Sequence, residues 1–162
     1  MNSPILQPQY EVKKTEEGYF FTTSNGEEYF VYFLPVFTLF EGTGFSVYSF
    51  NIERTNGKTD KTVRKQDDIS DTIAHILIQF FAKQQNAVIT QCETMDGRQD
   101  ARARLFDFWF ERYGDGQIQK LSEKIKIDGN QSTTFSIYFN PKDSNVKLLI
   151  DRFMEYVLLS TV

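Results

Sequence analysis

A chain of 162 residues with nine Gly and four Pro fits one domain and is too short for two full cores. Its 40% hydrophobic and 25% charged residues exclude wholesale disorder, a collagen-like chain and a bare coiled coil. Eighteen basic against 22 acidic residues leave a formal charge of −4, without the broad positive field that draws a protein to nucleic acid or anionic lipid, though a local basic patch stays open.

The opening Met1 to Pro8 has no basic stretch followed by an apolar one, so no signal peptide is expected there. We expect one domain over residues 1–162, with residues 1–17 as a loosely ordered N-terminal arm. Aromatic residues make up 15% of the chain, and 12 of them fall in residues 19–53. Gly18 to Thr23 and Glu28 to Leu34 read as two strands around Asn25-Gly26, a strong hairpin signal. A two-residue turn there sets Thr22 opposite Tyr29 and Phe20 opposite Val31. One face then carries Phe20, Tyr29, Val31 and Phe33, and the other Tyr19, Phe21, Phe30, Tyr32 and Leu34. Both faces are apolar, which predicts burial on two sides. Either the sheet is sandwiched within the domain or one aromatic face meets a partner.

Pro35 interrupts the second strand, and Phe45 to Ile52 forms a third. The apolar run over residues 29–40 is well short of the roughly 20 residues a membrane helix needs. Residues 43–50 bear a faint likeness to an RNA-stacking strand but hold Val47 where a stacking aromatic belongs, so that reading is rejected. The next stretch holds Arg54, Lys58, Lys61, Arg64 and Lys65 against the single acid Asp60, a basic island that is either a solvated loop or a phosphate contact.

Ile69, Ile73, Ile76, Leu77 and Phe80 recur at helical spacing, with Asp68 or Ser70 as a cap, and predict a helix to about Gln84. His75 shares the polar side of that helix with Asp71 and Gln79, where a surface Asp71–His75 pair is a better reading than a general base. Ala87 to Glu93 is a strand. Its Cys92 is the only cysteine, which points to a reducing, cytoplasmic compartment and to a buried small residue rather than a reactive thiol.

Asp96-Gly97-Arg98-Gln99 has the form of a capping box opening a helix to Tyr113. Cations at Arg98 and Arg102 oppose the dipole of a helix N-terminus unless an anion compensates. Asp96, Gly97, Arg98, Arg102 and Arg104 are therefore a candidate anion site. The competing reading is an internal salt-bridge network through Glu93, Asp96 and Asp100. Cys92, Asp96-Gly97-Arg98-Gln99, Arg102, Arg104-Leu105-Phe106 and Trp109-Phe110 resemble a motif in a family of short bacterial α+β proteins of unknown function. The resemblance runs from about Tyr29 onward, implies a bacterial cytoplasmic protein, and brings no activity with it.

Leu121 to Asp128 and Thr133 to Phe139 form a second hairpin across Gly129-Asn130. Glu123-Lys124-Ile125-Lys126 puts Ile125 where a nuclease-type strand needs a lysine. With one His and one Cys, no metal-ligand spacing exists. A last helix runs from about Ser144 to Leu159. Val146, Leu149, Ile150, Phe153 and Val157 form its stripe, widened by Leu148, Met154, Leu158 and Leu159, so it is either deeply packed or turned toward another subunit.

The expected order β-β-β-α-β-α-β-β-α is an α+β fold, a mostly antiparallel sheet of about six strands with three helices packed on it. No catalytic residue, metal or cofactor is assigned. The function expected is an interaction or regulatory domain that self-associates through an aromatic sheet face or the last helix. The alternative is binding of nucleotide or nucleic acid through Arg98, Arg102, Arg104 and the basic 54–65 loop.

Overall fold

Hydrophobic periodicity sets where the strands and helices lie, and the turns between them set which faces meet. A computed structural model describes residues 10–24, 26–36, 38–55, 66–82, 86–93, 118–129, 131–141 and 145–160. The strands are β1 (Lys13–Lys14), β2 (Tyr19–Thr22), β3 (Glu28–Pro35), β4 (Ser46–Arg54), β5 (Asn86–Glu93), β6 (Gln119–Asp128) and β7 (Gln131–Phe139). The helices are α1 (Gln66–Phe81) and α2 (Val146–Ser160), and a 3-10 turn spans Thr38–Phe40.

The expected α+β class holds, with seven strands and two α-helices among the described residues. The strand beyond the expected six is β1, which pairs with β2 inside the stretch expected to be an arm. The helix expected over residues 96–113 lies outside the described residues. The sheet order is β1-β2-β3-β4-β5-β7-β6. Every neighbouring pair is antiparallel except β4–β5, which runs parallel because α1 carries the chain back across the sheet between them.

The first hairpin corrects the sequence reading. Its register pairs Tyr19 with Val31, Phe20 with Phe30, Phe21 with Tyr29 and Thr22 with Glu28. Thr23 N–H donates to Glu27 O at 2.8 Å, Gly26 N–H donates to Thr23 O at 2.9 Å, and Gly26 has φ 80°. That geometry gives a three-residue loop ending on a left-handed glycine, one residue longer than the expected turn. The extra residue moves Phe20 to the face of Phe30 and Tyr32, and places Tyr19 and Phe21 with Tyr29, Val31 and Phe33.

Each face of the sheet carries one helix. On the first, Tyr19, Phe21, Val31, Phe50, Val88 and Tyr138 pack beneath Ile73, Ile76 and Leu77 of α1. On the second, Val47, Ala87, Ile89, Phe135, Ile137 and Phe139 pack beneath Leu149, Phe153 and Val157 of α2. Each fully buried side chain of this kind contributes roughly 1.5–3 kcal/mol. Asn86 follows α1 and donates its side-chain amide to Phe80 O at 2.7 Å, satisfying a carbonyl at the helix end.

The stripe on α2 divides along its length. Leu149, Phe153 and Val157 are buried, whereas Leu158 and Leu159 at the C-terminal end are 62% and 65% exposed.

Candidate functional site

Two features at the β2–β4 end of the sheet are not explained by packing alone. The first is an aromatic face that neither of the described helices covers. Phe20, Phe30 and Tyr32 belong to neither buried cluster. Their rings stack in a ladder, Phe20 on Phe30 at 4.3 Å and Phe30 on Tyr32 at 4.8 Å. Leu34 continues the face and is 51% exposed. The expectation that both faces of this hairpin are buried holds fully only for the Tyr19, Phe21 and Val31 face under α1: on the other, Phe20, Phe30 and Tyr32 are half-buried, and α2 packs farther along the sheet over β5 and β7.

Register gives this face a polarity. Lys13 lies opposite Phe20, Phe20 opposite Phe30, and Phe30 opposite Glu53, so one row across four strands reads cation, ring, ring, anion. Tyr32 hydroxyl donates to Glu53 Oε1 at 2.8 Å, which raises the tyrosine pKa because ionisation would lose that bond. Gly18 makes the ladder possible. A Cβ there would meet Phe30 Cε1 and Val31 O at 2.6 Å each.

The second feature is a buried polar cluster on the opposite face. Glu27, at the end of the hairpin loop, is 2% exposed, and its Oε2 accepts the Tyr29 hydroxyl at 2.8 Å. Glu27 Oε1, Arg54 Nε and Arg54 Nη2 are buried without a hydrogen-bond partner. Arg54 is the cross-strand neighbour of Tyr29. Burial is the largest cause pushing the Tyr29 pKa up to about 12, the bond to Glu27 adds to it, and the Arg54 charge opposes it. Tyr10 closes over this end, stacked on Phe21 at 6.1 Å, with its N–H donating to Thr72 Oγ1 on α1 at 3.3 Å.

The residues singled out from sequence fall unevenly on this frame. Arg54 ends β4, while Lys58, Lys61, Arg64 and Lys65 lie outside the described residues. Asp96, Gly97, Arg98, Arg102 and Arg104 lie outside them as well. Because β4 and β5 are parallel, the chain enters both basic stretches from the same end of the sheet, after Thr55 and after Glu93. Cys92 is placed in β5 by its pairing with Thr134. His75 Nε2 lies 3.0 Å from Gln79 Nε2, an i,i+4 contact along α1. Among the described residues, no three His, Cys, Asp or Glu side chains stand together as a metal site. No helix there is long and apolar enough to cross a membrane.

Glu27 carried no warning in the sequence, where a glutamate beside a hairpin turn reads as a solvated flank. The one available signal was the pair Glu27 and Tyr29, two apart in a strand and so able to share a face.

The model of a family of unknown function, DUF6169, matches residues 65–155, just over half of the chain. The matched part takes in α1, β5, β6, β7 and most of α2, includes the stretch 92–110, and begins after β4. No curated protein and no solved structure matches the chain.

Proposed function

The chain belongs to this family of unknown function, and from the geometry of its own residues we propose that it is a non-enzymatic interaction domain that self-associates through the aromatic face of β2 and β3. The observation that carries the proposal is the half-buried ladder of Phe20, Phe30 and Tyr32, which neither described helix covers and which the exposed Leu34 extends. Half-buried rings held in a fixed stack beside the exposed Leu34 offer apolar area at little entropic cost, and such patches mark association surfaces.

The charge row commits the face to a second copy of the same chain. A two-fold axis through the ladder sets Lys13 of one copy against Glu53 of the other, twice, while the rings meet between them. A single domain over residues 1–162 and a cytoplasmic, bacterial setting complete the reading, the setting resting on the lone Cys92 and on the motif over residues 92–110.

Light scattering tests it. A dimer is expected for the natural protein and a monomer for Leu34→Lys, with circular dichroism unchanged. Lys13→Glu and Glu53→Lys should each weaken the dimer, and the double swap should restore it. A strict monomer at high protein concentration would sink the reading. If only a Leu158→Asn, Leu159→Asn variant dissociates, the contact surface is the end of α2.

A second reading has nucleotide or nucleic-acid phosphates bound by Arg98, Arg102 and Arg104 and by the basic 54–65 stretch. The parallel pair β4–β5 favours it, since both stretches follow the same end of the sheet. A thermal-shift panel of nucleotides and short oligonucleotides should then stabilise the natural protein and not an Arg98→Ala, Arg102→Ala variant.

A further inference from the structure

The buried cluster beneath Tyr10 holds one negative and one positive side chain, each incompletely partnered. Glu27 places Oε2 on the Tyr29 hydroxyl and leaves Oε1 without a donor, although the residue is 2% exposed. Arg54 leaves Nε and Nη2 without an acceptor. Those two nitrogens form the side-on fork of the guanidinium, the edge that grips both oxygens of a carboxylate. A fork and a carboxylate oxygen buried on either side of Tyr29 with nothing to bind are costly, and native proteins rarely leave them so.

The charges select the ligand class. A phosphate or other lone anion on Arg54 would face the buried Glu27 carboxylate, and a lone cation on Glu27 would face Arg54. A molecule carrying both charges a short distance apart satisfies both ends and leaves the cluster neutral. The cluster sits at the C-terminal end of β4, beside the hairpin loop.

We propose that Glu27, Tyr29 and Arg54 form a binding site for a small zwitterion of the α-amino-acid class. Arg54 Nε and Nη2 hold the carboxylate, Glu27 Oε1 accepts from the ammonium, and Tyr29 positions Glu27 by donating to its other oxygen. The site is independent of the aromatic face, which lies on the other side of the sheet.

The test is a thermal-shift and calorimetric titration of the full chain with a panel of proteinogenic amino acids, and with acetate, methylammonium, inorganic phosphate and AMP as separate probes. At least one amino acid with an uncharged side chain is expected to bind and to raise Tm by roughly 5–10 °C at a hundredfold excess over Kd. Acetate and methylammonium, each half of the ligand, should do neither. Arg54→Gln and Glu27→Gln should weaken binding tenfold or more, and Tyr29→Phe, which keeps the ring, should weaken it less. Lys13→Glu, on the opposite face, should leave the affinity unchanged. Absence of binding by every amino acid in the wild-type titration overturns the proposal without recourse to variants. So does a shift that persists in a folded Arg54→Gln protein. Stabilisation by phosphate or AMP alone overturns it in favour of an anion site.

Discussion

Strands β3 and β7 read alike in sequence and differ in what covers them. Both carry large apolar side chains on both faces. In β7, Phe135, Ile137 and Phe139 are buried on the α2 face and Tyr138 on the opposite one. In β3 only Val31 is buried, and on the other face Phe30 and Tyr32 are half-buried and Leu34 is exposed. Strand pattern thus reports how much apolar surface a strand offers, while the position of the helices decides how much of it is hidden. The surplus on β3 is the surface that the proposed self-association would use.

Truncation should separate the two strands most sharply. Phe135→Ala removes a ring that is 2% exposed and should cost about 3–5 kcal/mol in chemical denaturation. Phe30→Ala should cost well under half of that, and equal losses would break the comparison. Gly18→Ala comes next, at about 1–3 kcal/mol, because its new Cβ meets Val31 O at 2.6 Å, backbone that cannot swing aside.

Alkaline pH sharpens the picture on the covered face of the same hairpin. The folded Tyr29 pKa lies near 12 against 10.0 for the free side chain. The unfolded chain therefore loses this proton first as pH rises, and stability falls between pH 10 and about 12, being fully present below 10. Spectrophotometric titration should show a tyrosine component near pH 12 that is lost in Tyr29→Phe, with Tyr32 and Tyr156 also titrating later than a free tyrosine. The smallest effect belongs to Leu34→Ser, which is expected to change stability by about 0.5 kcal/mol or less while abolishing light-scattering evidence of the dimer. A larger loss of stability would mean that Leu34 is packed within the chain.

Much of the frame was legible in the residues. The α1 stripe from Ile69 to Phe80, the second hairpin across Gly129 and the last helix lie close to where periodicity and turn chemistry put them. The first hairpin was found, but its register was not, because Asn25-Gly26 serves a two-residue turn and a three-residue one equally well. That single residue decides whether Phe20 lies on the α1 face or on the opposite one. The buried cluster was illegible for another reason. Arg54 and Tyr29 are far apart in sequence and meet only through strand pairing, and nothing about an isolated glutamate says that it will be buried.

The sequence by itself determined the α+β class, the order of the described elements from β2 onward and the concentration of aromatics in residues 19–53. Those follow from local periodicity, turn residues and composition, which each segment carries alone. Tertiary structure decided which aromatic face α1 covers, that β4 and β5 run parallel, and that Glu27, Tyr29 and Arg54 come together. Each of those depends on pairing between distant segments, where a one-residue change of register turns every side chain to the other face.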